Sequence, residues 1–257
     1  MAFTSYLSKL FRKALDDVSR GKAQSPELKT LDHLFSIQRE RSMIPKEDTL
    51  LIEQFETREG WHTCVFPMEG RLVHEAMAGL MAWRIARFHR ASYSIAMNDY
   101  GFELLSDEPL PIERAIGEGV FSAANLLEDV MSSINSAEMA RRRFRDIAAI
   151  AGLTFKGYPG RIKRSKHLQA SSGLVFDVFA EYEPDNLLLR QAYHEVMEYQ
   201  FEEARMRSAL KRIAGQKIEI VRPELPTPFA FPIMLERIRE KMTTESLEER
   251  IRKMKLS

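Results

Sequence analysis

The residues best equipped for chemistry fall in one stretch, between Met139 and His167. It holds nine Lys/Arg (Arg141, Arg142, Arg143, Arg145, Lys156, Arg161, Lys163, Arg164, Lys166) against one acid, Asp146. That is a local +8 in a 257-residue chain whose net charge is +1, so the remainder carries −7. Guanidinium and ammonium groups spaced this way can hold phosphates along a polyanion, and charge contact of that kind reads backbone rather than sequence. At about 100° per residue, Arg141 and Arg145 share one helix face, with Arg142 beside them. Met139, Phe144, Ile147, Ala148 and Ala151 would supply the buried stripe of the same helix. Gly157-Tyr158-Pro159-Gly160 precedes the second cluster and reads as a turn that admits close approach of a backbone or a phosphate. A second reading follows equally from composition: a solvated face paired with acids such as Glu195, Glu198, Glu202 and Glu203.

Three further residues are candidates for the same work. Arg71 and His74 open a helix, and a helix N-terminus with a basic residue is a usable phosphate site. The alternative is that Arg71 pairs with Glu69 or Glu75 and His74 is packed. Trp61 stands next to Gly60 at a strand start, where a tryptophan either stacks a base or closes the core.

Other chemistries have no motif. There is no G-x-x-x-x-G-K-[ST] loop, since Gly21-Lys22 leads to Ala23-Gln24. Gly117-Glu118-Gly119 lacks a third glycine. The six histidines and one cysteine show no metal-ligand spacing, and no G-x-S-x-G elbow occurs. The chain is therefore expected to be non-catalytic and to carry no cofactor or metal. Cys64 lies in the apolar run Cys64-Val65-Phe66 and reads as a buried inert thiol. Having no partner for a disulfide, it fits a reducing cytoplasm. No run reaches the roughly 20 apolar residues of a membrane span. The N-terminal segment is amphipathic but not a secretory signal, and Asp16-Asp17 argues against a presequence.

The positioning elements read as α+β: a small antiparallel sheet of about four to six strands packed with many helices. Helices are predicted at 2–20 and from Ser25-Pro26 to about Ser42. Strands are predicted at 50–57 and 61–66, joined as a hairpin, and at 92–97 and 101–105, flanking the turn Asn98-Asp99-Tyr100-Gly101. A helix spans 70–88 between them. After Pro111, helices are expected near 122–134, 137–150, 165–182, 187–214, 228–241 and 244–255, broken at Asn135-Ser136 and Pro184-Asp185-Asn186. A late strand is placed at 217–222. The expected organisation is one domain over 1–257: a helical lead-in (1–45), the sheet region (46–110) and a mainly helical remainder (111–257).

Several runs carry a family resemblance: GWHTCVFPMEGRLVHE (60–75), NDYGFELLS (98–106), EMARRRFR (138–145), GYPGR (157–161) with QASSG (169–173), NLLLRQ (186–191) and PTPFAFP (226–232). In this order they resemble the C-terminal region of the ligase-associated DEXH-box helicases, of the Lhr group in superfamily 2. The resemblance covers nearly the whole chain. It implies the accessory domain that follows two RecA-like ATPase domains and a winged helix. It also implies a part in forming the channel for the tracking strand, in a family that moves on single-stranded DNA with ATP and serves DNA repair. ATP and Mg would be bound by the motor domains, and this chain carries neither a Walker A motif nor a DEXH box. The implied partners are single-stranded DNA or a DNA/RNA hybrid, the RecA-like and winged-helix domains, and a DNA ligase or nuclease; the implied location is cytoplasmic. The nucleic-acid contacts would fall on Arg141, Arg142, Arg145, Arg161, Lys163, Arg164, Lys166, Arg71, His74 and Trp61. The competing reading is a protein-interaction domain that docks the motor, the winged helix or repair partners.

Overall fold

The structure, a computed structural model, describes all residues except 1–2, 23–24, 133, 155–156, 159–160, 163–164, 197–201 and 241–257. In chain order the elements are α1 (Ser5–Ser19), α2 (Pro26–Thr30), α3 (Asp32–Arg41), β1 (Thr49–Thr57), β2 (Gly60–Phe66), α4 (Arg71–Ala86), β3 (Ser94–Met97), β4 (Phe102–Ser106) and α5 (Ile112–Gly117). Then come α6 (Leu126–Ser132), α7 (Ile134–Ile150), β5 (Gly157–Tyr158), β6 (Arg161–Ile162), α8 (Ser165–Tyr182), α9 (Leu187–Glu195), α10 (Glu203–Ala214), β7 (Lys217–Val221) and α11 (Ala230–Glu240). They form two compact units, one of Met1–Ala124 with Arg205–Ser257, the other of Asn125–Ala204.

The first unit is built on a five-stranded sheet in the order β3-β4-β2-β1-β7. β3, β4, β2 and β1 pair antiparallel, whereas β7 runs parallel to β1. The α+β class is as the sequence reads, and the late strand makes the sheet mixed. A parallel partner needs a long crossover, and more than 150 residues supply it here. β1 and β2 form the predicted hairpin with Thr57 opposite Gly60, so only Arg58 and Glu59 turn the chain. Gly60 is required twice: its φ is +129°, and a Cβ would stand 2.6 Å from the Ser106 carbonyl oxygen. Side chains alternate along β1. Leu51 and Phe55 join Leu15, Val18, Phe35, Cys64, Phe66, Ile233 and Met234 in one apolar cluster, and buried Glu53 stands between them.

The second unit is helical. α7 packs against α8 and α9. Phe144 meets Phe176 and Phe179 edge-on, with ring centroids 5.6 Å and 5.9 Å away.

The boundaries differ from expectation in places with local causes. The helix predicted over 25–42 is two: Leu31 sits at φ −90°, ψ 4°, and a new helix starts at Asp32. Of the helix predicted over 187–214, α9 is described over Leu187–Glu195 and α10 from Glu203, next to Glu202 with φ +45°, and residues 197–201 lie outside the described residues. The break expected at Asn135-Ser136 falls inside the first turn of α7, where short polar side chains are tolerated. Short α5, started by Pro111, was not predicted. Gly157–Tyr158 (β5) and Arg161–Ile162 (β6) pair antiparallel, and the expected turn residues 159–160 lie outside the described residues. The helix expected at 244–255 lies outside the described residues.

Candidate nucleic-acid interface

α7 positions the first basic cluster. Ala140, Phe144, Ile147 and Ala148 recur at helical spacing and are buried, with Phe144 at 0% exposure. The predicted stripe thus holds at 144, 147 and 148, while Ala151 is exposed beyond the helix end. Burying that stripe turns the arginines outward. Arg142 is exposed, and Arg145 is half-buried. Arg141 forms an ion pair with Asp177 of α8 and lies 6.0 Å from the Phe176 ring centroid. Its carboxylate partner is thus Asp177, while Glu195 accepts from Gln191 Nε2 at 3.1 Å. Both side chains of the Arg141–Asp177 pair are about half exposed, at 40% and 53%. Such a pair contributes about 0–1 kcal/mol, little enough for a phosphate to compete for the guanidinium.

Of the second cluster, Arg161 lies on β6, and Lys166 is in the first turn of α8. Lys163 and Arg164 lie outside the described residues.

The sites predicted in the sheet unit are placed differently. His74 is 0% exposed. Its Nε2 accepts from the Glu69 amide at 3.0 Å, and its Nδ1 donates to the Asn98 carbonyl at 2.7 Å. Burial lowers its pKa from 6.5 to about 4. With both ring nitrogens engaged and no charge at neutral pH, His74 has nothing to offer a phosphate, and this corrects the expectation. It is a packed histidine that pins the loop before α4 to the β3–β4 turn. At the N-terminus of α4, the Arg71 amide donates to Asp99 Oδ1 at 3.1 Å, so a carboxylate of the same unit already occupies this end. The Arg71 guanidinium is 3.6 Å from Glu236 of α11, an acid 165 positions away that local spacing does not announce. Trp61 is half-buried on β2, opposite Glu56 and Ser106 in the ladder.

Two polar clusters escape sequence reading. Glu69 takes Arg12 NH1 at 2.6 Å and Arg212 NH2 at 3.0 Å, and those arginines also donate to the Met68 and Pro67 carbonyls. Arg205 reaches the Glu69 carbonyl. Helices α1 and α10 thereby strap the loop between β2 and α4. The second cluster lies within the sheet. Glu103 accepts from His62 Nδ1 at 2.5 Å and from Arg237 Nε at 3.0 Å, and Arg237 NH2 reaches Glu59 at 2.6 Å. It is a latch between the hairpin, β4 and α11. Nearby Glu53 accepts from Gln38 Nε2 at 2.8 Å and Thr227 Oγ1 at 2.5 Å, and burial raises its pKa. The partners in both clusters are far apart in sequence, so no local spacing announces them.

Among the described residues no group of His, Cys, Asp and Glu is arranged to hold a metal ion, and no helix is long and apolar enough to cross a membrane.

Residues 44–230 match the family described as DEAD/H associated. The chain is 30% identical over 207 residues to ATP-dependent helicase Lhr-Core protein 2 of Thermococcus barophilus, covering 77% of this chain and 23% of the relative. It is 23% identical over 239 residues to the Lhr helicase/probable uracil glycosylase of Mycolicibacterium smegmatis, covering 91% and 16%. Its fold is similar to that in the structure of Mycobacterium smegmatis helicase Lhr bound to ssDNA and AMP-PNP. The TM-score is 0.65 at 24% identity, over 90% of this chain and 30% of that one. The chain spans about a quarter of the length of the archaeal relatives it matches.

Proposed function

The chain belongs to the DEAD/H associated family, and from that premise we propose that it is the non-catalytic, nucleic-acid-binding accessory region of an Lhr-type ATP-dependent helicase, contacting the single strand on which the motor moves. The observation that carries this reading is α7. Its aromatic inner face is fixed against α8, which holds Arg142 and Arg145 outward at the centre of a stretch with net charge +8. The reading also draws on the relative whose structure holds ssDNA. Lys163, Arg164, Arg161 and Lys166 would extend the contact. ATP chemistry is assigned to motor domains, and the work served is DNA repair in the cytoplasm.

Charge reversal tests this. Arg142→Glu with Arg145→Glu removes two phosphate contacts from exposed or half-buried positions, with an unchanged thermal melt as the check that folding is retained. Affinity for a labelled single strand should fall, and the magnitude of the log–log salt slope should drop by about 1.4. Unchanged affinity in the double variant overturns the site assignment.

A further inference from the structure

The outer face of α8 carries a second, unlike surface. Leu174, Val178 and Tyr182 stand four residues apart, hence on one face, and are 67%, 44% and 72% exposed. The opposite face, with Ser172 and Phe176, is the one buried against the unit. Three large apolar side chains in one exposed row is a pattern that marks binding surfaces. Its surroundings are acidic. Asp177 and Glu181, also four residues apart, edge the row, and Glu183 and Asp185 follow at the end of the helix.

That placement opposes helix electrostatics. The C-terminal end of a helix is its negative pole and favours cations, each by about 0.3–1 kcal/mol. The last turn of α8 carries no basic residue, and acids gather there instead. Arg141 of α7 pairs with Asp177 and Asn186 Nδ2 donates to Glu183, yet the exposed apolar row and the acids at this negative helix end are both favoured by the same partner. We infer that the Leu174–Val178–Tyr182 row is a docking surface for an amphipathic protein helix whose apolar stripe is flanked by lysines or arginines. A second copy of this chain fits less well, because it would bring its own acids to the same seam. This surface adjoins α7 through the Arg141–Asp177 pair, but its apolar row does not depend on the nucleic-acid reading.

The test uses the full chain and two designed 18-residue helical peptides. Each carries Leu at i, i+4 and i+8; one has Lys flanks and the other Glu flanks. The Lys-flanked peptide should bind saturably, at least tenfold more tightly than its Glu-flanked counterpart. Val178→Glu, at an exposed position, should weaken it at least tenfold while leaving the thermal melt and single-strand affinity unchanged. Equal binding of the two peptides, insensitivity to Val178→Glu, or no saturation at millimolar peptide overturns the proposal. So does a concentration-dependent dimer in sedimentation that Val178→Glu abolishes, which would make the occupant a second copy.

Discussion

Removing the charge of Glu103 should cost the sheet unit a large part of its stability. The carboxylate is 0% exposed and accepts from two groups, one on each oxygen. Glu103→Gln keeps the shape but leaves one oxygen for two donors and turns an amide toward the other. Arg237, whose side chain is 3% exposed, keeps only Glu59, itself 34% exposed, as its counter-ion. Breaking a buried pair from one side costs about 3–5 kcal/mol. The surviving Glu59 contact argues for the lower figure, about 3 kcal/mol. For a unit of this size that is a melting shift of roughly 6–12 °C. Both tryptophans, Trp61 and Trp83, lie in this unit, so denaturation followed by their fluorescence reports it directly. A cycle with Arg237→Met should return a coupling above about 1 kcal/mol between the two positions. A Glu103→Gln chain within about 0.5 kcal/mol of wild type would refute the latch.

Other outcomes follow from the same geometry. Because His74 is lowered from 6.5 to about 4 in the folded chain, the unfolded chain binds its proton first. Its stabilising contribution is present above pH 6.5 and is lost as pH falls from 6.5 through 4, on the order of 3 kcal/mol in all. Urea midpoints across that window should fall steeply in wild type and less so in His74→Gln. Phe144→Ala opens a cavity between Phe176 and Phe179 and should destabilise the helical unit by about 3–5 kcal/mol, read by amide exchange across α7 and α8. Cys64 is buried, and burial lifts its thiol pKa well above the ordinary value. Iodoacetamide at pH 8 should label it only after unfolding, as mass spectrometry would record.

The readable parts of this protein are those that local chemistry specifies. The runs 50–57 and 61–66, joined by the short Arg58-Glu59-Gly60, gave the hairpin, and Asn98-Asp99-Tyr100-Gly101 gave the turn between β3 and β4. Helix faces followed from apolar spacing, so Phe144, Ile147 and Ala148 were placed inward and Arg142 outward correctly. What failed depended on distant partners. Nothing near His74 in sequence foretells Asn98, and nothing near Arg71 foretells that Asp99 caps its helix. Arg12, Arg205 and Arg212 converge on Glu69 and its loop from two helices nearly 200 residues apart. Position 217–221 reads as a strand, but its parallel seat beside β1 is set by the sheet edge. The pairing of Arg141 with Asp177 likewise needs the packing of α7 on α8.

The central claim is single-strand binding through the arginines of α7, and the salt dependence of binding tests it most directly. A labelled oligonucleotide is titrated with the chain from about 50 to 200 mM salt. Three contacts, from Arg141, Arg142 and Arg145, give a log–log slope of about −2, and the four bases at 161–166 bring it to about −5. A slope in that range, made shallower by Arg142→Glu with Arg145→Glu, is the expected result. No binding at 50 mM salt, or a slope near zero, would contradict the account.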